Sequence, residues 1–430
     1  MQPVKKILLV LILLLLLFPA FQKKFHPVSS RPLNGVFEST PRPVFTWSSW
    51  FSGTWQEQYR RNTEDSVGFR SDLVRLFNQV DFSLFSLAHA GKIIVGKKNY
   101  LFGDQYIDSA LGINFAGKRF IDEKVKLTKQ LQEKLWKEKN IFLLVIFTPD
   151  KATFFPEYVP GRYLRKRQGI SNYSYYAQRY LEEGVHFIDF NRYWRMLKDT
   201  SRYPLYPKTG IHWTCYGAVL AADSLARYLE AKLGRPMPRI EIDSIEVSRE
   251  ARYEDNDIAR TMNLIREIPH PPYAYPKYHY IFGPDDKKPS ALFIGDSFYW
   301  NWYNPGMIDG LFINRDFWYY DKDVYPETFT KPTNTGEVDL LDAIGRQDVV
   351  ILLQTNAAYG NPGYGFVERA LSEMDTAQSR IRYFEEKIRS TPEWMKLIRR
   401  KAMEQKVDPE EMIRRDALFM VNEELKAKNK

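Results

Sequence analysis

The sequence predicts an α/β domain built on a doubly wound parallel sheet, with one insertion and a helical C-terminal tail. Three observations predict it. Short apolar runs recur at residues 141–147, 185–190, 291–294 and 348–353, as expected of strands buried in a parallel sheet. Amphipathic stretches at 121–137, 173–183 and 218–233 alternate with them, as helices covering such a sheet do. The run at 291 stops at Gly295 and presents Ser297 at the carboxyl end of its strand, the edge where open α/β sheets gather ligands.

At 430 residues the chain exceeds one average domain, so a core domain with appendages is expected. An apolar content of 44% supports a large core and excludes a disordered chain. The formal charge of +9 is spread along the sequence rather than held in one block, which argues against a nucleic-acid groove. A single cysteine, Cys215, excludes an internal disulfide, and its place beside an apolar stretch predicts a buried, inert thiol.

In chain order, Lys5 and Lys6 precede an unbroken apolar run from residue 7 to 18. Basic residues on that side hold the amino terminus in the cytoplasm and send the remainder across the membrane. The run suits a signal-peptide core as well as a short span, but Gln22, Lys23 and Lys24 follow it in place of a small-residue cleavage site. That flank favours an uncleaved anchor over residues 1–25, with the body in the periplasm of a Gram-negative cell. Residues 26–56, rich in Pro, Ser, Thr and aromatics, read as an extended lead-in.

The core domain is expected over 57–365. It opens with helical periodicity to residue 87, interrupted near Gly68, and a hairpin turning at 96–99. After the helix at 218–233, Gly234 and Pro236 supply a stop. A polar insertion at 236–289, dense in Pro, Tyr and charge, reads as a substrate-side excursion or a small β element. Residues 366–430 read as a charged helical tail. No phosphate loop and no Cys/His metal spacing appears, so neither a cofactor nor a metal is expected.

Two motifs sharpen the reading: His212-Trp213-Thr214, and Gly295-Asp296-Ser297-Phe298 further along. With the segments at 91–102 and 147–151, they resemble the SGNH-hydrolase-like acetyltransferase domain of the alginate O-acetyltransferase AlgJ/AlgX family, over roughly residues 60 to 365. The resemblance implies an SGNH-like sheet with a circularly permuted site order, Ser297 as nucleophile and His212 as its base. It also implies an acid two residues before the histidine, where this sequence has Gly210. A triad carboxylate fixes the imidazole tautomer, so another acid is needed for full activity. Asp150 and Asp189, both at the reactive edge, are the candidates, although each also suits a loop or helix cap.

Gln354 and Asn356, after the closing strand, are candidate oxyanion donors that equally suit turn chemistry. Trp213 and the aromatics from 298 to 303 offer flat faces to a sugar, against the ordinary alternative that they fill the core. The resemblance implies an O-acetyltransferase acting on a cell-envelope or exported polysaccharide, working beside a membrane-bound O-acyltransferase that supplies acetyl groups; the N-terminal segment would hold it at the inner membrane. An esterase of the same fold, and a catalytically silent glycan-binding or assembly protein, remain alternatives.

Overall fold

A computed structural model describes residues 2–35, 40–329, 331 and 333–428. Residue 1 of the expected anchor, 36–39 of the lead-in, 330 and 332 of the core region and 429–430 of the tail lie outside the described residues.

The chain begins with α1 (Gln2–Phe25), α2 (Trp47–Phe51), α3 (Thr54–Asp65) and α4 (Arg70–Phe85). The lead-in is therefore not wholly extended: Thr46 caps α2 through a reciprocal bond with Ser49, a local signal that an aromatic-rich stretch obscures. A hairpin follows, β1 (Ile93–Val95) against β2 (Leu101–Gly103). Next come α5 (Asp104–Ala110), α6 (Lys118–Lys139), β3 (Phe142–Thr148), α7 (Lys151–Phe154), α8 (Gly161–Leu164), α9 (Asn172–Glu183), β4 (Phe187–Asp189), α10 (Phe190–Leu197) and α11 (Cys215–Leu233).

The insertion folds as the antiparallel pair β5 (Arg239–Ser248) and β6 (Tyr273–Ile281), with α12 (Asp257–Thr261) between them. The sheet resumes at β7 (Ala291–Gly295) and continues through α13 (Trp300–Tyr303), β8 (Asp316–Tyr319), β9 (Asp323–Tyr325), α14 (Leu340–Gly345) and β10 (Val349–Thr355). Helices α15 (Phe366–Ser390), α16 (Pro392–Gln405) and α17 (Pro409–Lys428) close the chain and share a small core of their own around Ile388, Ile398 and Ile413.

Among the described residues the central sheet has strand order β4-β3-β10-β7-β8-β9. Every pairing is parallel except β8 with β9. Alternate side chains enter two separate cores. Leu144, Ile146, Phe293 and Ile351 face α10, α11 and α13, whereas Leu143, Val145, Ile294 and Val350 face α6, α9 and α15. Burial on both faces explains the uninterrupted apolar sequence of β3 and β10. It also places the carboxyl ends of β3, β10 and β7 side by side, since β10 pairs with both neighbours in register.

Candidate active site

The nucleophile candidate follows from how β7 ends. Asp296 caps a short 3-10 turn, Ser297–Tyr299, by accepting the Phe298 N–H at 3.1 Å through Oδ1. Its Oδ2 accepts the Thr355 N–H at 2.8 Å, which fastens the turn to the end of β10. Burial raises the pKa of Asp296, against those two amides and His212, which favour the carboxylate. The Ser297 side chain is thereby presented at the sheet edge.

Residues 208–212 form the facing loop. The buried Lys151 Nζ donates to the Lys208 and Gly210 carbonyls at 2.8 and 2.7 Å. The Ala259 N–H donates to the Thr209 carbonyl at 3.0 Å. Fixed in this way, the loop carries His212 Nε2 to 2.8 Å from Ser297 Oγ, while the imidazole packs edge-on against Phe298.

The other imidazole nitrogen meets an acid that sequence reasoning did not select. His212 Nδ1 lies 2.7 Å from Asp257 Oδ2. The carboxylate sits off the N–H axis, so the contact is close without being a well-aligned hydrogen bond. Asp257 opens α12 inside the insertion, and its Oδ1 accepts the Ile211 and Ile258 N–H groups at 2.9 and 2.7 Å. Burial disfavours the His212 imidazolium. Asp257, with Glu254 and Asp296, more than offsets this and raises the pKa of His212 above its ordinary value.

Gly210, where the resembled family carries its acid, has no room for a side chain: a Cβ there would lie 2.6 Å from the Asp255 carbonyl oxygen and 2.7 Å from that of Glu254. The segment occupying that space is the one that leads into Asp257.

Neither acid drawn from the sequence contacts His212. Asp150 is fully buried and caps α7, accepting the Ala152 N–H at 2.7 Å; burial pushes its pKa up to about 7. Asp189 caps α10 through the Arg192 N–H at 2.8 Å and accepts from the Tyr173 hydroxyl. Both act as caps because strand ends in this fold run straight into helices.

The oxyanion candidates lie at the carboxyl end of β10. Asn356 exchanges hydrogen bonds with Asn191 at 2.9 and 3.0 Å and donates to Thr153. Gln354 is buried and accepts the Gly363 N–H at 2.9 Å. Trp213 has none of its surface exposed and packs among Phe190, Trp194, Phe298 and Trp302, so it is core and offers no face to a sugar.

A residue the sequence reading passed over stands next to Ser297. Tyr320 follows β8 with φ 53°, and its N–H donates to the Gly295 carbonyl at 2.9 Å, at the end of the strand that presents Ser297. It keeps 37% of its surface exposed, so it lines the open side of the site. Burial of its phenol, and then the Asp296 charge, raise its pKa and keep the O–H protonated.

Residues 93–300 match the family of the SGNH hydrolase-like domain of acetyltransferase AlgX. That match spans just under half of the chain. The matched stretch runs from β1 to the turn after β7 and includes His212, Asp257 and Ser297. The matched family is the one whose motifs the sequence resembles. Among solved structures, the chain is similar to the O-acetyltransferase domain of Pseudomonas putida AlgJ, at 17% identity and TM-score 0.41, over 62% of this chain and 92% of that one. It is similar to Pseudomonas aeruginosa AlgX at 15% identity and TM-score 0.41, over 64% and 67% of the two chains. It is similar to Bacillus cereus PatB1 at 14% identity and TM-score 0.33, over 58% and 93%. No curated protein matches the sequence.

Proposed function

We propose that this chain is a serine-dependent O-acetyltransferase that moves an acetyl group onto a cell-envelope or exported polysaccharide. The observation that carries the reading is the juxtaposition of Ser297 Oγ, 2.8 Å from His212 Nε2, with Asp257 Oδ2, 2.7 Å from His212 Nδ1. In this reading His212 accepts the Ser297 proton as Oγ attacks the acetyl carbonyl of the donor. Asp257 holds the imidazole in the tautomer with a proton on Nδ1 and stabilises the imidazolium that forms.

The carbonyl oxygen becomes an oxyanion facing the Tyr320 phenol and the Ser297 N–H, an amide that the 3-10 turn leaves out of its own hydrogen bonds. Collapse of the adduct breaks the bond to the donor, and His212 returns its proton to the leaving oxygen. A sugar hydroxyl then attacks the acetyl-serine, giving its proton to His212. The second collapse releases the acetylated sugar, and the proton returns to Ser297 Oγ.

The proposal places this chemistry in the periplasm, with α1 as an uncleaved inner-membrane anchor and a membrane-bound O-acyltransferase as acetyl supplier. Residues Pro3–Phe25 are long and apolar enough to cross a membrane. Packing supports retention of α1: a Cβ on Gly68 would lie 2.0 Å from the Pro19 carbonyl oxygen, so the α3–α4 turn is shaped to fit the end of α1. Lys23 adds a bond to Ser66 at 2.7 Å.

The test is purified chain with a chromogenic acetyl donor and polysaccharide acceptors. Ester-linked acetyl on the glycan, lost in Ser297→Ala, supports the proposal. Free acetate as the sole product points to the esterase. Turnover unchanged in Ser297→Ala removes the reading altogether.

A further inference from the structure

Helix α4 is turned inside out for a helix in water. Its body-facing side carries Arg75 and Asn78, both buried. Arg75 donates to the Arg31 and Pro32 carbonyls, and Asn78 donates to the Met262 carbonyl at 2.8 Å. The opposite side carries Leu73, Leu76, Phe77, Val80 and Leu84, at three and four residue steps, and all five are exposed, Phe77 by 57% and Leu84 by 70%. A continuous apolar stripe of this kind on a soluble surface marks a contact with something other than water.

The position of α4 says what that contact is. The turn that starts α4 packs on the end of α1 through Gly68, and the Phe69 ring packs tilted against Phe18 at 5.0 Å between centroids. If α1 spans the bilayer, Phe18 and Lys23 lie at its outer boundary, and α4 leaves from that level with its apolar side uncovered. Interfacial helices bind in this way, one face in the acyl boundary and the other away from it.

We propose that the Leu73–Leu84 face of α4 lies in the outer interface of the same lipid bilayer that α1 crosses. The inner face of α4 holds the Met262 carbonyl, and Phe82 packs against the cluster that contains Ile258 and Met262, so the helix that touches lipid also braces the α12 segment bearing Asp257. Docking of α4 therefore sets the height and orientation of the site above the membrane. This inference rests on the anchor reading of α1.

The experiment uses the full chain in vesicles of phosphatidylethanolamine and phosphatidylglycerol. Cys215 is buried and its thiol pKa is pushed up to about 12, so an introduced cysteine is the one that a maleimide dye labels. An environment-sensitive dye is placed at Leu76→Cys, at Leu84→Cys and, for reference, at Met403→Cys, a position 82% exposed on α16. The expected result is flotation with the vesicles, blue-shifted emission at 76 and 84, and several-fold less quenching there by aqueous iodide than at 403. Flotation with all three dyes quenched alike overturns the docking of α4 and leaves the anchor standing. Failure to float overturns both. Shielding of 76 and 84 in native membranes but not in pure lipid assigns the face to a protein partner, and overturns the lipid assignment.

Discussion

Gly210 and Asp255 are in backbone contact so close that a methyl group on the glycine would meet the aspartate's carbonyl oxygen at 2.6 Å. The absence of an acid at 210 and the presence of one at 257 are thus two sides of one packing arrangement: the bare backbone admits the 254–257 segment, and that segment delivers its carboxylate to His212. Placing an aspartate at 210 does not restore a missing acid; it displaces the acid already there. Gly210→Ala and Gly210→Asp are expected to lower stability by about 1–3 kcal/mol, because the obstructing atoms are backbone and cannot rotate away. Both should also reduce turnover. Thermal melts and initial rates check this, and a faster Gly210→Asp enzyme would contradict it.

Asp257→Asn is expected to cut kcat by about 10²- to 10⁴-fold with the fold intact, since an amide in that place no longer stabilises the imidazolium. Asp150→Asn and Asp189→Asn should leave turnover within a few-fold of the parent, because asparagine still caps α7 and α10. Parallel kinetics on the three variants decide the matter. A larger loss at 150 or 189 than at 257 would reverse the assignment.

The pH profile carries the same information. His212 works as a base only when neutral, and its pKa is raised, so activity should fall as pH drops through a value above the ordinary 6.5. Asp257→Asn removes an attraction that favours the imidazolium, which should move this acidic limb of kcat/KM to lower pH. A limb that stays in place in the variant would mean that Asp257 does not act on His212.

Ser297→Ala and His212→Ala should each lower acetyl transfer by about 10⁴-fold or more, and the double variant should be hardly worse than either, since members of one catalytic unit are not additive. Additive losses in single-turnover assays would separate the two residues into independent roles.

These expectations also mark where the sequence was informative. Strands β3, β7 and β10 could be read because burial on both faces demands unbroken apolar runs, and Ser297 because Gly295 ends such a run at the reactive edge. The short β8 and β9 were missed: Phe317, Trp318 and Tyr319 lie in a stretch so dense in aromatics that no period stands out. Asp257 was hidden for a different reason. It is one acid in a charged run of the insertion, and only the close approach at Gly210 brings it to His212. The chemistry of α4 was concealed likewise, because its apolar period gives no sign of which side faces the body.

Tyr320 gives the most discriminating test of how the oxyanion is held. Its backbone adopts φ 53°, a conformation costly for a bulky side chain, and Asp321 beside it has φ 51° and is held by Arg369 at 2.7 Å. The strain is sustained by the Tyr320 N–H bond to Gly295, at the end of the strand that presents Ser297. The phenol keeps its proton, so it can donate to an oxygen that gains charge as Ser297 attacks. Removing one such donor costs about 10²- to 10³-fold in rate. Tyr320→Phe retains the ring and loses only the hydroxyl, so kcat should fall by about 10²- to 10³-fold with KM and thermal stability little changed. If the residue serves instead as a flat surface for a sugar, phenylalanine should preserve kcat, and Tyr320→Ala should raise KM for the acceptor. An unchanged kcat in Tyr320→Phe would remove the phenol from the oxyanion site and leave the Ser297 N–H to act without it.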